Sequence, residues 1–309
     1  MRAMILAAGF GTRLRPITDS IPKPLVPVAG VPNIVRVIEH LKGFGITELV
    51  VNLHHLADAI PAELGDGASL GVSIVYSRED GKILGTGGGI GKALPLLGDE
   101  TFAVVNGDVL FAPDLDRALA LHRERGALAT MVVRPDPEAE KLGPVGLDAD
   151  GRVRRLVWGG AKAAGQRTFM FTGVHLVEPS IGDRLPADGC IVRETYIPMV
   201  DEGAPLFGVE DGGYFCDMGT PKRLVDAVAD VVTGVAGVPW YVPSPAGVHV
   251  AEDAVVEEGC VIGPGTSVCS GARVTGGACL ERVLVMPGAN VDFDASDAII
   301  CADGTVLDA

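Results

Sequence analysis

The 309-residue chain has no CxxC pair among its six cysteines, no run of 18 apolar residues, and few bases. Its 25 Lys and Arg stand against 40 Asp and Glu, for a net charge of −15. Each shortage excludes something. Cysteines scattered at 190, 216, 260, 269, 279 and 301 make neither a disulfide framework nor an obvious zinc site, so the cytoplasm is the expected compartment. The short apolar opening runs into GFGTRLRP rather than a cleavage site, and no segment has the length of a membrane helix, so neither secretion nor a membrane partner is expected. The acidic balance argues against gripping a nucleic-acid backbone, which needs clustered Lys and Arg. A local pocket can still oppose the global sign. The first 25 residues carry Arg2, Arg13, Arg15 and Lys23 against Asp19 alone.

Glycine is abundant, 42 of 309 residues, and hydrophobic residues make up 48%, which excludes a disordered chain. The length suggests two domains. Over the first 110 residues strand-like and helix-like segments alternate: strands at 3–8, 48–53, 72–77 and 101–106, helices at 33–42, 54–64 and 89–97. Such alternation builds an α/β fold, a Rossmann-like three-layer sandwich around a mostly parallel mixed sheet. Later segments at 127–134 and 169–177 read as long strands, with a turn at Asp150-Gly151 between them. Residues 190–200 and 221–233 read as helices, and residues 214–217 as a short strand. This assigns 1–235 to a first domain. A stretch with three prolines and three glycines, 236–247 with its approach, is the expected linker.

Residues 248–309 carry a different period. Val250, Val256, Ile262, Val268, Val274, Leu280 and Met286 stand six residues apart, with small residues (Ala254, Cys260, Thr266, Ala272, Ala278) four places after each of the first five. Neither 3.6 nor 2 fits; a parallel β-helix with six-residue sides does. At three sides per coil the run is short, so it should lean on the first domain or on a second subunit, and a homo-oligomer is one expectation.

Five motifs carry the chemistry. Gly9-Phe10-Gly11-Thr12-Arg13 follows a strand; it lacks the third glycine of a dinucleotide fingerprint and the Gly-Lys-Ser/Thr of a Walker loop. Glycines there let backbone N–H groups approach phosphate oxygens, and Arg13 can add a forked contact, although a tight structural turn would read the same way. Pro22 and Pro24 flank Lys23 and stiffen its backbone, as suits a point charge aimed at a phosphate. Gly85-Thr86-Gly87-Gly88-Gly89 leaves room for a flat group, and Glu79 or Asp80 just upstream can accept from a base edge. Asp108 ends the apolar run Val104-Val105-Asn106-Gly107, where α/β sheets place ligands, and Asp217 ends a later strand. Two carboxylates from separate strands suit Mg²⁺, although each alone also reads as a solvated strand end.

LAAGFGTRLRP, then PKPLVPV, GTGGG, NGD and DMGTP in this order resemble the sugar-1-phosphate nucleotidyltransferases over residues 2–233. The hexad tail is similar to the left-handed β-helix of many members. The resemblance implies a transfer of a nucleoside monophosphate from a nucleoside triphosphate to a sugar 1-phosphate, with Mg²⁺ as cofactor and small molecules as partners. It places Arg13, Lys23, Asp108 and Asp217 in catalysis, the two aspartates as metal ligands. It places Leu6, Ala7, Ala8, Gly9, Gly11, Thr12, Arg13, Lys23, Asp80, Gly85, Thr86, Asn106 and Gly107 around the nucleotide, and Gly146, Thr172, Gly173 and Glu194 around the sugar. Departures exist. The hairpin after Asp150-Gly151 lacks the Glu-Lys-Pro whose lysine touches the sugar phosphate, leaving Lys162 or Arg193 as substitutes, and Phe171 replaces an asparagine before Thr172-Gly173. The EKLGPVGLDADGRVRRL stretch and the tail resemble the mannose-1-phosphate guanylyltransferase-like branch, favouring GTP with a mannose- or heptose-like phosphate. GTGGG and NGD resemble the branch that uses UTP with N-acetylmuramate 1-phosphate. A non-catalytic nucleotide-sugar-binding regulatory subunit is the alternative of another class.

Overall fold

The computed structural model describes residues 1–157 and 166–309. These form two compact units interleaved in sequence: Met1–Gly9, Leu41–Gly107 and Pro113–Gly213 make the first, and Phe10–His40, Asp108–Ala112 and Tyr214–Ala309 the second.

The first unit is an α/β sandwich on a nine-stranded mixed sheet. Its parallel half is built from Ala3–Leu6, Glu48–Leu53, Ser73–Arg78 and Phe102–Asn106, with Ala3–Leu6 between Glu48–Leu53 and Phe102–Asn106. Val50, Val51 and Leu53 are at most 1% exposed, which explains why these strands read as apolar runs rather than alternating ones. The long strand Arg167–Val177 runs antiparallel to Phe102–Asn106, Ala129–Arg134 and Pro144–Leu147. Leu206–Glu210 adds a parallel partner to Ala129–Arg134. The hairpin read at Asp150-Gly151 joins Pro144–Leu147 to Val153–Leu156, with Gly151 at φ +79°.

The strands at 48–53 and 102–106 were legible in the sequence almost to the residue. Three elements differ. The expected helix over 54–64 starts only at Ala59, because residues 55–58 form a turn with Leu56 at positive φ. The glycine motif is itself the first turn of helix Gly85–Leu97. Residues 190–200 form a π-helical turn, Val192–Tyr196, running into the α-helix Ile197–Asp201.

The second unit contains the β-helix. Val250 pairs with Val268, Val256 with Val274 and Ile262 with Leu280, each an 18-residue step, as three six-residue sides require. The period then slips: Val268 pairs with Val285 rather than Met286. Met286, expected inside the coil, turns the other way and joins an apolar cluster with Leu224, Val225 and Val228 of helix Pro221–Val232. Cys269, Leu284 and Ile299 of the β-helix lie in the same cluster, together with Leu14, Ile17, Val26 and Val28. The coils therefore bury one side against the unit's own helix, as a run this short requires. Among the described residues no helix is long and apolar enough to cross a membrane, and all six cysteines are free.

Candidate active site

Two short strands of the second unit bring together aspartates far apart in the chain. Val109–Phe111 and Phe215–Asp217 pair antiparallel, with Asp217 opposite Val109, the residue after Asp108. Lys23 sits in the turn Lys23–Leu25 between Pro22 and Pro24, and its side chain is only 6% exposed. Its Nζ donates to Asp108 Oδ2 at 2.7 Å and to Asp217 Oδ1 at 3.1 Å. The other Asp217 oxygen faces two guanidinium groups, Arg13 at 3.4 Å and Arg223 at 3.6 Å. Burial alone would raise the Asp217 pKa, but Lys23 and then Arg13 outweigh it and hold the carboxyl below its ordinary value.

The phosphate-type loop enters this cluster. Gly11 adopts φ +62°, and a methyl group there would lie 2.8 Å from Thr18 Cγ2. Its carbonyl accepts from Leu14 N–H and the Thr18 hydroxyl, both at 2.9 Å. Thr12 and Arg13 start the turn Thr12–Leu14 and are exposed. The four catalytic candidates, Arg13, Lys23, Asp108 and Asp217, thus converge.

The remaining candidates lie in the first unit. Leu6, Ala7, Ala8 and Gly9 leave the strand Ala3–Leu6, and Leu6 is in register with Asn106. Gly107 N–H donates to the Leu6 carbonyl at 2.9 Å. Gly85 and Thr86 are docked on the segment 186–191. Gly87 N–H donates to the Gly189 carbonyl at 2.8 Å, Gly189 N–H to that of Leu84 at 2.8 Å, and Ile191 N–H to Thr86 Oγ1 at 2.9 Å. A methyl group on Gly85 would lie 2.6 Å from the Gly189 carbonyl oxygen, and one on Gly88 2.7 Å from that of Ala187. Those glycine faces admit the protein's own backbone. Asp80 is exposed, whereas Glu79, its sequence alternative, is 2% exposed and fully engaged inside the protein.

Among the sugar-side candidates, Thr172 is buried and donates its hydroxyl to the Val132 carbonyl at 2.7 Å. Gly173, at φ +84°, lies against Asn106 Nδ2 with no space for a side chain. Gly146 pairs with Thr168 and is covered by Gln166. Glu194 and Arg193 are exposed on the π-helical turn; Lys162 lies outside the described residues. Phe171 stacks edge-on against His175 at 5.5 Å. Full burial pushes the His175 pKa down to about 3, so it is a neutral core residue bonded to Tyr196 Oη at 2.5 Å. Sequence reasoning missed Arg223, Asn52 and the internal role of Glu79. The signals for these were an arginine in the first turn of the helix that follows Asp217 and a lone amide in the apolar strand ELVVNL.

A sequence model described as "Nucleotidyl transferase" matches residues 2–234. The chain belongs to the nucleotidyl transferase family. This nucleotidyltransferase is 33% identical over 300 residues to the mannose-1-phosphate guanylyltransferase of Mycobacterium tuberculosis, covering 94% of this chain and 81% of that one. It is 39% identical over 233 residues to the N-acetylmuramate alpha-1-phosphate uridylyltransferase of Neisseria meningitidis, covering 74% of this chain and 97% of that one. Among solved structures, a putative glucose-1-phosphate thymidylyltransferase from Bacillus anthracis superposes with a TM-score of 0.62 at 25% identity, over 74% of this chain and 94% of that one. The nucleotidyltransferase is thus an enzyme acting on a sugar 1-phosphate.

Asp108 and Asp217, whose carboxylates both reach the Lys23 ammonium, are the residues that would suit Mg²⁺, a hard ion commonly held by one or two carboxylates plus substrate phosphates. Among the described residues no group of three or more His, Cys, Asp or Glu is placed to hold a metal ion.

Proposed function

We propose that this nucleotidyltransferase joins GTP to a mannose- or heptose-like 1-phosphate, releasing pyrophosphate. The observation that carries the chemistry is Lys23 Nζ bridging Asp108 and Asp217 beside Arg13. The sugar phosphate is already ionised near neutral pH, so its oxygen can attack the α-phosphorus in line without a general base. The protein must align two mutually repelling anions and oppose charge on the departing pyrophosphate. Arg13 and Lys23 supply the opposing charge, and the amides of the Gly9–Thr12 segment supply neutral donors to phosphate oxygens. Asp108 and Asp217 would hold Mg²⁺, which when bound supplies charge neutralisation at the reacting phosphates. Gly85 and Thr86 would meet the base together with Asp80, and the Thr172-Gly173 backbone, Gly146 and Glu194 the sugar.

The base and sugar preference rests on the match to the mannose-1-phosphate guanylyltransferase of Mycobacterium tuberculosis, which extends over 94% of the chain and so takes in the tail. A second reading, UTP with an N-acetylmuramate-like 1-phosphate, has its own support in the 39% identity to the Neisseria enzyme, confined to 74% of the chain. In both, residues 1–235 carry the chemistry, 236–247 link, and 248–309 brace the fold or join subunits, in the cytoplasm. Pyrophosphate release from each common nucleoside triphosphate against a panel of sugar 1-phosphates separates them. Highest kcat/KM for GTP with mannose 1-phosphate supports the first; highest for UTP with N-acetylmuramate 1-phosphate overturns it in favour of the second.

A further inference from the structure

A chain of side-chain hydrogen bonds inside the first unit connects two backbone amides that sequence alone leaves unrelated. Ala7 N–H donates to Asn52 Oδ1 at 2.7 Å, and Asn52 Nδ2 donates to Glu79 Oε1 at 2.7 Å. The second Glu79 oxygen accepts from Leu84 N–H at 2.7 Å. Both side chains are almost fully buried, Asn52 at 3% and Glu79 at 2% exposure. A methyl group on Gly89 would lie 2.8 Å from Glu79 Oε1 and 3.0 Å from Asn52 Nδ2, so the helix Gly85–Leu97 closes over the pair. The next peptide group is also fixed, the Leu84 carbonyl accepting from Gly189 N–H at 2.8 Å.

The polarity of this relay is forced. Both ends are N–H donors, so the intervening groups must present an acceptor at each end. An amide followed by a carboxylate does this, and so does a carboxylate followed by an amide. Two amides leave a donor facing a donor, and two carboxylates leave oxygen facing oxygen in a site closed to water.

We propose that Asn52 and Glu79 are positioning residues for the nucleotide: they lock the segment after Ala7 and the segment after Leu84 into one fixed register. The inference rests on the reading above, in which the Gly9–Thr12 segment, just after Ala7, meets the triphosphate and Gly85-Thr86 the base. Neither side chain touches ligand; each acts through a backbone amide.

The test is a polarity swap. Glu79→Gln and Asn52→Asp each break the relay, while the double variant N52D/E79Q restores it with the same shape and the same net charge. Binding of Mg²⁺–GTP and Mg²⁺–UTP is measured alongside hydrogen exchange at the Ala7 and Leu84 amides. The expected result is a loss of about tenfold or more in triphosphate affinity with faster exchange in each single variant, and recovery of both to near wild type in the double variant. KM for the triphosphate should move in the same sense, with KM for the sugar phosphate little changed. Should the single variants fail to fold, a folded double variant supports the relay and an unfolded one overturns it. Additive damage in the double variant also overturns it. Restored exchange with triphosphate affinity unchanged throughout would leave a structural brace and refute the positioning role. A wild-type chain binding neither triphosphate contradicts the functional reading and the positioning role with it, while the exchange pattern still reports separately whether the relay exists.

Discussion

Asp217 faces Val109 across a two-stranded antiparallel ladder, and that register sets its carboxylate beside the carboxylate of Asp108 on the same lysine. A single residue of slip would turn Asp217 to the other face of its strand. The pairing is therefore as much a part of the site as the acidic groups.

Lys23→Met tests the electrostatics of the cluster. Removing one partner of a buried pair costs about 3–5 kcal/mol, and the aspartates here are a third exposed, so we expect about 1–3 kcal/mol. The pH dependence has a definite sign. In the wild type the Asp217 pKa is held below its ordinary value of 3.8, so its contribution is present above that value and is lost as pH falls through the lowered one. Without Lys23, burial is opposed only by Arg13 and Arg223, so the Asp217 pKa rises from its lowered value and its ionised form contributes less stability. The stability gap between variant and wild type should thus be largest near neutrality and narrow toward pH 4. Urea unfolding between about pH 4 and 8 measures it; a gap that widens in acid contradicts this assignment.

The two glycines of the phosphate-type loop should behave differently. Gly11→Ala forces a side chain into φ +62° and against Thr18, which should cost about 1–3 kcal/mol of stability together with activity. At Gly9 a methyl group meets nothing within 4 Å, so Gly9→Ala should fold and melt like wild type. If the loop cradles phosphate, that variant should still show a raised KM for the triphosphate. Thermal melts and initial rates of both variants decide the matter, and equal melting losses would contradict it.

Leu284→Ala tests the β-helix as a brace. Leu284 is fully buried in the cluster that includes Leu224 and Leu14, and such a truncation costs about 2–5 kcal/mol. Turnover well below the melting temperature should stay within about threefold, because no atom of the reaction is touched. Unfolding midpoints and rates at low temperature check this; unchanged stability with lost turnover would assign the tail a part in the chemistry.

Much of this was legible in the sequence, for identifiable reasons. Buried parallel strands are apolar on both faces, so 48–53 and 102–106 stood out. The hexad spacing gave the 18-residue coil because each inward residue repeats on one side, but the slip to Val285 occurs where the coil packs against helix Pro221–Val232, a contact between segments distant in sequence. Gly85–Gly89 read as an open loop since glycine disfavours helix; the helix forms there because segment 186–191 docks where side chains would stand. Glu79 and Asp80 looked interchangeable, and only tertiary structure separates an exposed carboxylate from one closed around Asn52 and Leu84. Asp108 and Asp217 were recognisable as strand ends, but Lys23 as the group joining them depends on three segments meeting, which no spacing encodes.

The central claim is that Asp108 and Asp217 act as one unit in catalysis. Pyrophosphate release by Asp108→Ala at limiting Mg²⁺, with a melt to confirm folding, tests it most directly. The account predicts a loss of at least about 100-fold in rate, roughly 3 kcal/mol of transition-state stabilisation. Near-normal turnover in the folded variant would contradict it.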